Sequence, residues 1–149
     1  MSETIRALVA IVALSGSAFA VFVWRLSRLD AAEPERLIGE LRFSQWMALA
    51  LGAIGGAWLG VATVRSPSGY GAIEVTLAVT TILFAGWTLH RETRQSLLLL
   101  CAAFVGHALL DVAHRPGGLA PDLAPRWFTV GCAAYDVYLA ALCYWAQRR

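Results

Sequence analysis

Five long apolar runs constrain the fold of this chain more than any other feature of its sequence. Each run approaches or reaches the roughly 17–25 residues that a helix needs to cross a bilayer. The runs are continuously apolar, whereas the strands of a membrane barrel alternate apolar and polar residues. They predict transmembrane helices at about 5–24, 43–64, 70–89, 96–113 and 127–146.

The composition agrees with an integral membrane protein. Hydrophobic residues make up 58% of the 149 residues and charged residues only 15%, whereas roughly a quarter of the residues in a soluble domain are charged. The polar connections between the runs are too short to form a separate soluble domain. We therefore predict an all-α fold, in which residues 1–149 form a single domain built as a bundle of five transmembrane helices.

The distribution of arginine predicts the orientation of the bundle. All 12 basic residues are arginine, and basic residues concentrate in the cytoplasmic connections of membrane proteins. The larger group lies in the first and third connections and at the C-terminus: Arg25, Arg28, Arg36, Arg42, Arg91, Arg94, Arg148 and Arg149. The smaller group lies on the opposite side: Arg6, Arg65, Arg115 and Arg126. This excess predicts an N-terminus outside and a C-terminus in the cytoplasm, and it gives no reason to expect a nucleic acid partner.

The second helix carries a ridge of small residues. They recur every fourth position: Ser44, Ala48, Gly52, Gly56 and Gly60. Such ridges let two helix backbones approach closely in lipid. We interpret the ridge as packing within the bundle, and the alternative is a homo-oligomer that forms through Gly52, Gly56 and Gly60.

Two smaller features have two interpretations each. Trp58 lies deeper in its helix than the other five tryptophans, which sit near helix ends as interfacial aromatic residues do. We expect Trp58 to face lipid, although it would also suit the wall of a cavity. The first connection contains Leu37, Ile38 and Leu41, which suit either a short amphipathic surface helix or a solvated loop.

Ionisable residues inside the apolar runs are the main functional signal. Glu74, His107, Asp111 and Asp136 lie within predicted helices, and His114 lies at the end of one. A charge at the bilayer centre costs roughly 2.5–3.5 kcal/mol on insertion scales, so such residues face protein and are often functional. His107, Asp111 and His114 are spaced four and three residues apart, which predicts that they share one face of the fourth helix. With the predicted orientation, all five lie in the outer half of the membrane.

The first chemistry that fits these residues is a metal site. Imidazole and carboxylate groups suit zinc, iron or manganese. The predicted ligands are His107, Asp111, His114 and Asp136. Glu74 would be a fifth ligand or a general base, and Tyr135, beside Asp136, would assist as an acid or base. His90 is excluded because it lies at the opposite end of the third helix.

Two further interpretations remain open. In a metal-free site, Asp111 or Asp136 keeps its proton in a medium of low dielectric constant and works with His107 as a proton donor and acceptor. Such a site would suit the isomerisation or cyclisation of an olefinic lipid. In a structural interpretation, Asp111 pairs with Arg115 and Asp136 accepts a hydrogen bond from a tyrosine. The protein would then be a non-catalytic membrane subunit.

The connection "RPGGLAPDLAPRW" is rich in glycine and proline, which predicts a shaped, non-helical loop. It would lie directly above the proposed site. We interpret it as a lid or an entrance, and the alternative is a tight turn in which Asp122 is a solvent-exposed residue.

The last third of the chain resembles a family of small bacterial multi-pass membrane proteins of unknown function. Members of this family carry three short motifs: His-x-x-x-Asp-x-x-His, Pro-x-Trp and Cys-x-x-x-Asp. In this chain they correspond to His107, Asp111 and His114; Pro125 and Trp127; and Cys132 and Asp136. Leu110 and Arg115 stand where the family usually has an aromatic residue and a second histidine. The resemblance implies a shared buried polar site in a bacterial inner membrane protein, and it implies no particular activity.

Together these observations predict a membrane-embedded, metal-dependent enzyme that acts on a lipidic or isoprenoid-like substrate. A site that receives lipid should open sideways between helices. A transport path, by contrast, would need polar residues in the inner half of the membrane, where Ser15 and Thr81 are the best candidates. The scarcity of polar residues in the inner half argues against transport.

Overall fold

The computed structural model describes residues 3–65, 71–114, 118–119 and 124–148. Within these ranges the chain forms helices and no strand. The helices are α1 (Glu3–Leu26), α2 (Pro34–Arg65), α3 (Gly71–Thr88), α4 (Thr93–Ala113) and α5 (Arg126–Arg148). Each is long and apolar enough to cross a membrane, which indicates a multi-pass membrane protein. The prediction of an all-α chain with five such helices is thereby confirmed, while Tyr70, the predicted start of the third helix, lies outside the described residues.

α2 begins nine residues earlier than the apolar run predicted, at Pro34 rather than at residue 43. Proline suits the first turn of a helix, because its missing N–H would have no partner there. Arg36 fixes this turn by bonding Glu40 at 2.9 Å and the carbonyl oxygen of Leu29 at 3.3 Å. The segment that we considered as a separate amphipathic helix is therefore the first part of α2.

The helices pack as antiparallel neighbours around a core of large side chains. The fully buried residues include Phe43, Met47, Leu97, Phe104 and Leu139. α4 packs extensively on α5, and α2 on α3, whereas α3 and α4 touch each other only sparingly. The ends of α2 and α4 and the beginnings of α3 and α5 come together, and we call this region the site end of the bundle.

The small-residue ridge of α2 follows the packing surface only in part. Ser44 and Ala48 are buried, and a Cβ on Gly52 would touch Ala85 of α3 at 3.9 Å, but Cβ atoms on Gly56 and Gly60 would meet nothing within 4 Å. A four-residue repeat rotates by about 40° per step on a helix with 3.6 residues per turn. The ridge therefore winds away from α3 along its length.

Among the glycines of α2 that face α3, the one with the least space for a side chain is Gly55, which is not part of that ridge. A Cβ at this position would lie 3.0 Å from Cγ1 of Ile82 and 3.1 Å from the carbonyl oxygen of Ala78. Gly55 therefore sets the distance between the two helices. Trp58, three residues further along, shares this face and is only 7% exposed. The expectation that Trp58 faces lipid is wrong, because the other helices that meet at the site end cover this face of α2.

Candidate functional site

α4 places three ionisable side chains on one buried face. His107, Asp111 and His114 are 8%, 1% and 7% exposed, and their spacing repeats about once per helical turn. His114 ends the helix, as the sequence predicted, and neighbouring side chains cover it there. The face points towards α3 and α5 at the site end of the bundle.

His107 pairs with Asp136 across the interface between α4 and α5. Nδ1 of His107 lies 2.7 Å from Oδ2 of Asp136, a distance typical of a charge-assisted hydrogen bond. Asp136 is 1% exposed and is held at this depth by α5, which begins at Arg126. The carbonyl oxygen of Pro125 accepts the first hydrogen bonds of that helix, from the N–H groups of Phe128 and Thr129.

The carboxylate of Asp111 has no hydrogen-bond partner among the described residues, although both of its oxygens are fully buried. Nδ1 of His107 lies 3.8 Å from Oδ1, which is too far for a hydrogen bond. A buried carboxylate without donors carries a desolvation penalty of several kcal/mol. Arg115, the partner considered in the structural interpretation, lies outside the described residues.

Glu74 and His114 form a second pair between α3 and α4. Nε2 of His114 lies 3.1 and 3.0 Å from the two carboxylate oxygens of Glu74, and Nδ1 lies 2.7 Å from the carbonyl oxygen of Leu110. A carbonyl oxygen only accepts hydrogen bonds, so Nδ1 carries a proton. Nε2 and Glu74 must then share a further proton, as imidazolium with carboxylate or as imidazole with carboxylic acid.

The ring of Trp58 lies beside both histidines of the site, His107 and His114. Its ring stacks on His114 with a centroid distance of 4.9 Å and lies 6.4 Å from the ring of His107. The centroid of its ring also lies 6.1 Å from that of Phe128. Sequence reasoning did not assign Trp58 to the site. The signal was its depth in the helix, for which the wall of a cavity was the alternative interpretation, and Trp58 does line the cavities on both sides.

Tyr135 faces a different part of the bundle from the polar face of α4. Its hydroxyl lies 2.7 Å from the hydroxyl of Ser15 on α1, and the neighbouring Tyr138 donates to the carbonyl oxygen of Gly16. Ser15 in turn donates to the carbonyl oxygen of Ile11 at 2.7 Å. These contacts tie α1 to α5 and satisfy the polar groups involved.

The predicted site residues therefore fall into three sets. His107, Asp111 and Asp136 offer ligand atoms that all lie within 4.8 Å of one another. Glu74 and His114 form a neighbouring pair, and Tyr135 contacts α1. The loop predicted as a lid, including Asp122, lies largely outside the described residues.

Two cavities meet at the polar face of α4. A small cavity of about 20 Å³ is bounded in part by Trp58, Glu74, His107, Asp111 and His114, and it has room for a single small ion or water molecule. A groove of about 340 Å³ runs between α3 and α4 and includes His107 in its wall. We call it the α3/α4 groove.

A second groove, of about 490 Å³, lies on the other side of Trp58. Its walls come from α1, α2 and α5 and include Phe19, Ala53, Trp58 and Tyr135. We call it the α1/α2/α5 groove. Both grooves open sideways between helices, as expected for a site that receives lipid.

The group formed by His107, Asp111 and Asp136 fits a divalent metal ion. It combines one imidazole with two carboxylates, a donor set that suits zinc, iron or manganese. Asp111 lines the small cavity and has no hydrogen-bond partner among the described residues. Ligand atoms around such an ion lie about 2.0–2.2 Å from it, so small side-chain rotations would bring the three together. Comparison with protein-family models, with curated proteins and with solved structures gave no match to this chain.

Proposed function

We propose that this protein is a metal-dependent enzyme of the bacterial inner membrane that acts on a lipidic or isoprenoid-like substrate. The ligands in this proposal are His107, Asp111 and Asp136, in the outer half of the bilayer. The observation that carries it is the carboxylate of Asp111, buried with no hydrogen-bond donor among the described residues. A cation in the adjoining cavity would give that carboxylate its missing partner.

The balance of charge supports a divalent ion. Asp111 and Asp136 bring two carboxylates into the apolar part of the bundle, and in the described residues neither is paired with arginine. A neutral His107 with two ionised carboxylates amounts to two negative charges, which one divalent cation compensates. Such an ion would polarise a substrate oxygen or activate a water molecule.

In this proposal His114 and Glu74 are not ligands. They line the same small cavity as His107 and Asp111 and share a proton at Nε2 of His114. This position suits a pair that receives or returns a proton at the site end, while Trp58 keeps the ring of His114 in place.

A metal-free site is the second candidate, and the 2.7 Å contact between His107 and Asp136 favours it. A carboxylate that accepts a hydrogen bond from the N–H group at Nδ1 orients the imidazole and leaves Nε2 free to act on a substrate. In that case Asp111 holds its own proton, and the reaction is an isomerisation or cyclisation of an olefinic lipid. A non-catalytic subunit, in which these residues only hold helices together, is the remaining alternative.

Elemental analysis of the purified protein in detergent tests the metal proposal. We expect about one equivalent of zinc, iron or manganese in the wild type, and its loss in His107→Ala, Asp111→Asn and Asp136→Ala, because each variant removes one of three ligands. His114→Gln should retain the metal if the ligand group has three members, and should lose it if His114 is a fourth ligand. His90→Ala, at the opposite end of α3, is the matched control. A folded wild type without metal would contradict the proposal.

A further inference from the structure

The α3/α4 groove gives the polar site a side entrance from the membrane. α3 contributes Leu77, Thr80 and Phe84 to its walls, and α4 contributes Ala103, Gly106 and His107. Thr80 and Gly106 are exposed on the flank of the bundle, where the surrounding medium is hydrocarbon. A molecule dissolved in the membrane therefore reaches the groove without passing through water.

The groove and the small cavity adjoin each other. They share the side chains of Leu77, Thr81, His107 and Leu110, so the inner end of the groove abuts the space between His107 and Asp111. The end of a bound molecule would lie against the imidazole of His107.

The lining of the groove defines the chemistry of what it accepts. The hydroxyl of Thr81 donates to the carbonyl oxygen of Leu77 at 2.9 Å, which leaves its methyl group for the groove. Leu77, Phe84 and Ala103 are apolar, and a Cβ added to Gly106 would meet nothing within 4 Å. The titratable group in the wall is the imidazole of His107, so a ligand should be apolar along its length and polar or reactive at one end.

The volume limits the ligand to a single chain. About 340 Å³ lies near the lower limit of the range of about 300–1,000 Å³ for small-molecule sites. This suits one flexible hydrocarbon chain better than the two chains of a diacyl phospholipid. We infer that the α3/α4 groove binds a lipid with a single hydrocarbon chain and presents its polar end to His107. This inference rests on the proposed function and names its substrate class.

Saturable photolabelling tests the inference. Hexadecanol with a diazirine at its terminal carbon is added to the protein in phosphatidylcholine vesicles, and the labelled residues are identified by mass spectrometry. We expect saturable labelling of α3 and α4 at the groove, reduced by excess hexadecanol or farnesol. Labelling of Leu109 and Val112, which face lipid, should not saturate. Whichever competitor acts at the lower concentration distinguishes a straight chain from an isoprenoid chain.

Filling the groove supplies the matched variants. Gly106→Phe should reduce the saturable labelling about tenfold, equivalent to about 1.4 kcal/mol of binding free energy, and Thr80→Phe fills the groove from the opposite wall if the first variant does not fold. Ala53→Phe fills the α1/α2/α5 groove and should leave the labelling unchanged. Labelling that does not saturate, that persists in both filled variants, or that diacyl phosphatidylcholine reduces equally would overturn the inference.

Metal content measured on the same samples separates the two proposals. Saturable labelling without metal would support the groove as a lipid site and contradict the metal proposal. Metal without saturable labelling would support the three-ligand group and overturn the substrate class.

Discussion

Asp111 and His114 lie three residues apart on α4, but their surroundings have opposite consequences. The ring of His114 is satisfied at both nitrogens, by Leu110 and Glu74, and is stacked on Trp58. Asp111 has no donor among the described residues. The first arrangement is complete within the protein, and the second needs a further partner to offset the cost of burial.

Replacing Asp111 with leucine separates a ligand from a structural residue. Chelator-treated Asp111→Leu should be more stable to unfolding than the chelator-treated wild type by about 1–3 kcal/mol, because it removes a buried polar group without a partner. Added metal should raise the free energy of unfolding of the wild type by about 2.7 kcal/mol at a concentration 100-fold above Kd. The unfolding temperature of the wild type should rise with it, and that of the variant should not change. Thermal unfolding in detergent measures both effects.

Val112→Leu, on the neighbouring lipid-facing position, is the control for this comparison and should respond to metal as the wild type does. If Asp111→Leu is instead less stable than the wild type in chelator, the carboxylate has a structural partner, and the structural interpretation gains support.

The sequence predicted which residues share a face but not which residues touch. Helical spacing placed His107, Asp111 and His114 together, since this depends on one helix alone. The pairing of His107 with Asp136 and of His114 with Glu74 depends on how α3 and α5 are displaced along α4. That displacement is set by side-chain packing between helices, which the spacing within one helix does not contain.

At the scale of helices, the contact between α2 and α3 depends on a glycine outside the obvious repeat. The four-residue pattern drew attention to Gly56 and Gly60, which are exposed, rather than to Gly55, where an added Cβ would crowd α3. The repeat identified the helix that packs closely on its neighbour but not the face of that helix that makes the contact. The early start of α2 was missed for a related reason, because residues 34–42 are helical without being continuously apolar.

Alanine substitutions at adjacent glycines test this contact. Gly55→Ala should destabilise the protein by about 1–3 kcal/mol, because the added methyl group forces α3 away from α2. Gly56→Ala adds the same methyl group into open space and should be neutral or slightly stabilising, since alanine favours helix over glycine by up to about 1 kcal/mol. Unfolding in detergent by increasing denaturant compares the two.

Equal destabilisation by both substitutions would contradict the contact at Gly55. If the effect of Gly56→Ala also depends on protein concentration, the exposed glycines form the homo-oligomer interface considered from the sequence.

For the whole molecule, the number of helices followed from the apolar runs, and so did their approximate extent except at the start of α2, but the orientation in the membrane rests on arginine alone. All basic residues are arginine, and the larger group lies at the ends of α1, α3 and α5. A C-terminal green fluorescent protein should therefore fluoresce, and a C-terminal alkaline phosphatase should be inactive, because the arginine distribution predicts a cytoplasmic C-terminus. The reverse result would invert the bundle and move the site to the inner half of the membrane.

The burial of Trp58 gives the site its own optical signal. The chain has six tryptophans, and Trp24, Trp46, Trp87, Trp127 and Trp145 are all at least 38% exposed, whereas Trp58 is 7% exposed. Brominated lipid chains quench the emission of indoles that they can touch. In such vesicles the residual fluorescence would come mainly from the indole stacked on His114, so binding of an ion or a lipid beside it could be followed in the wild-type protein without an added label.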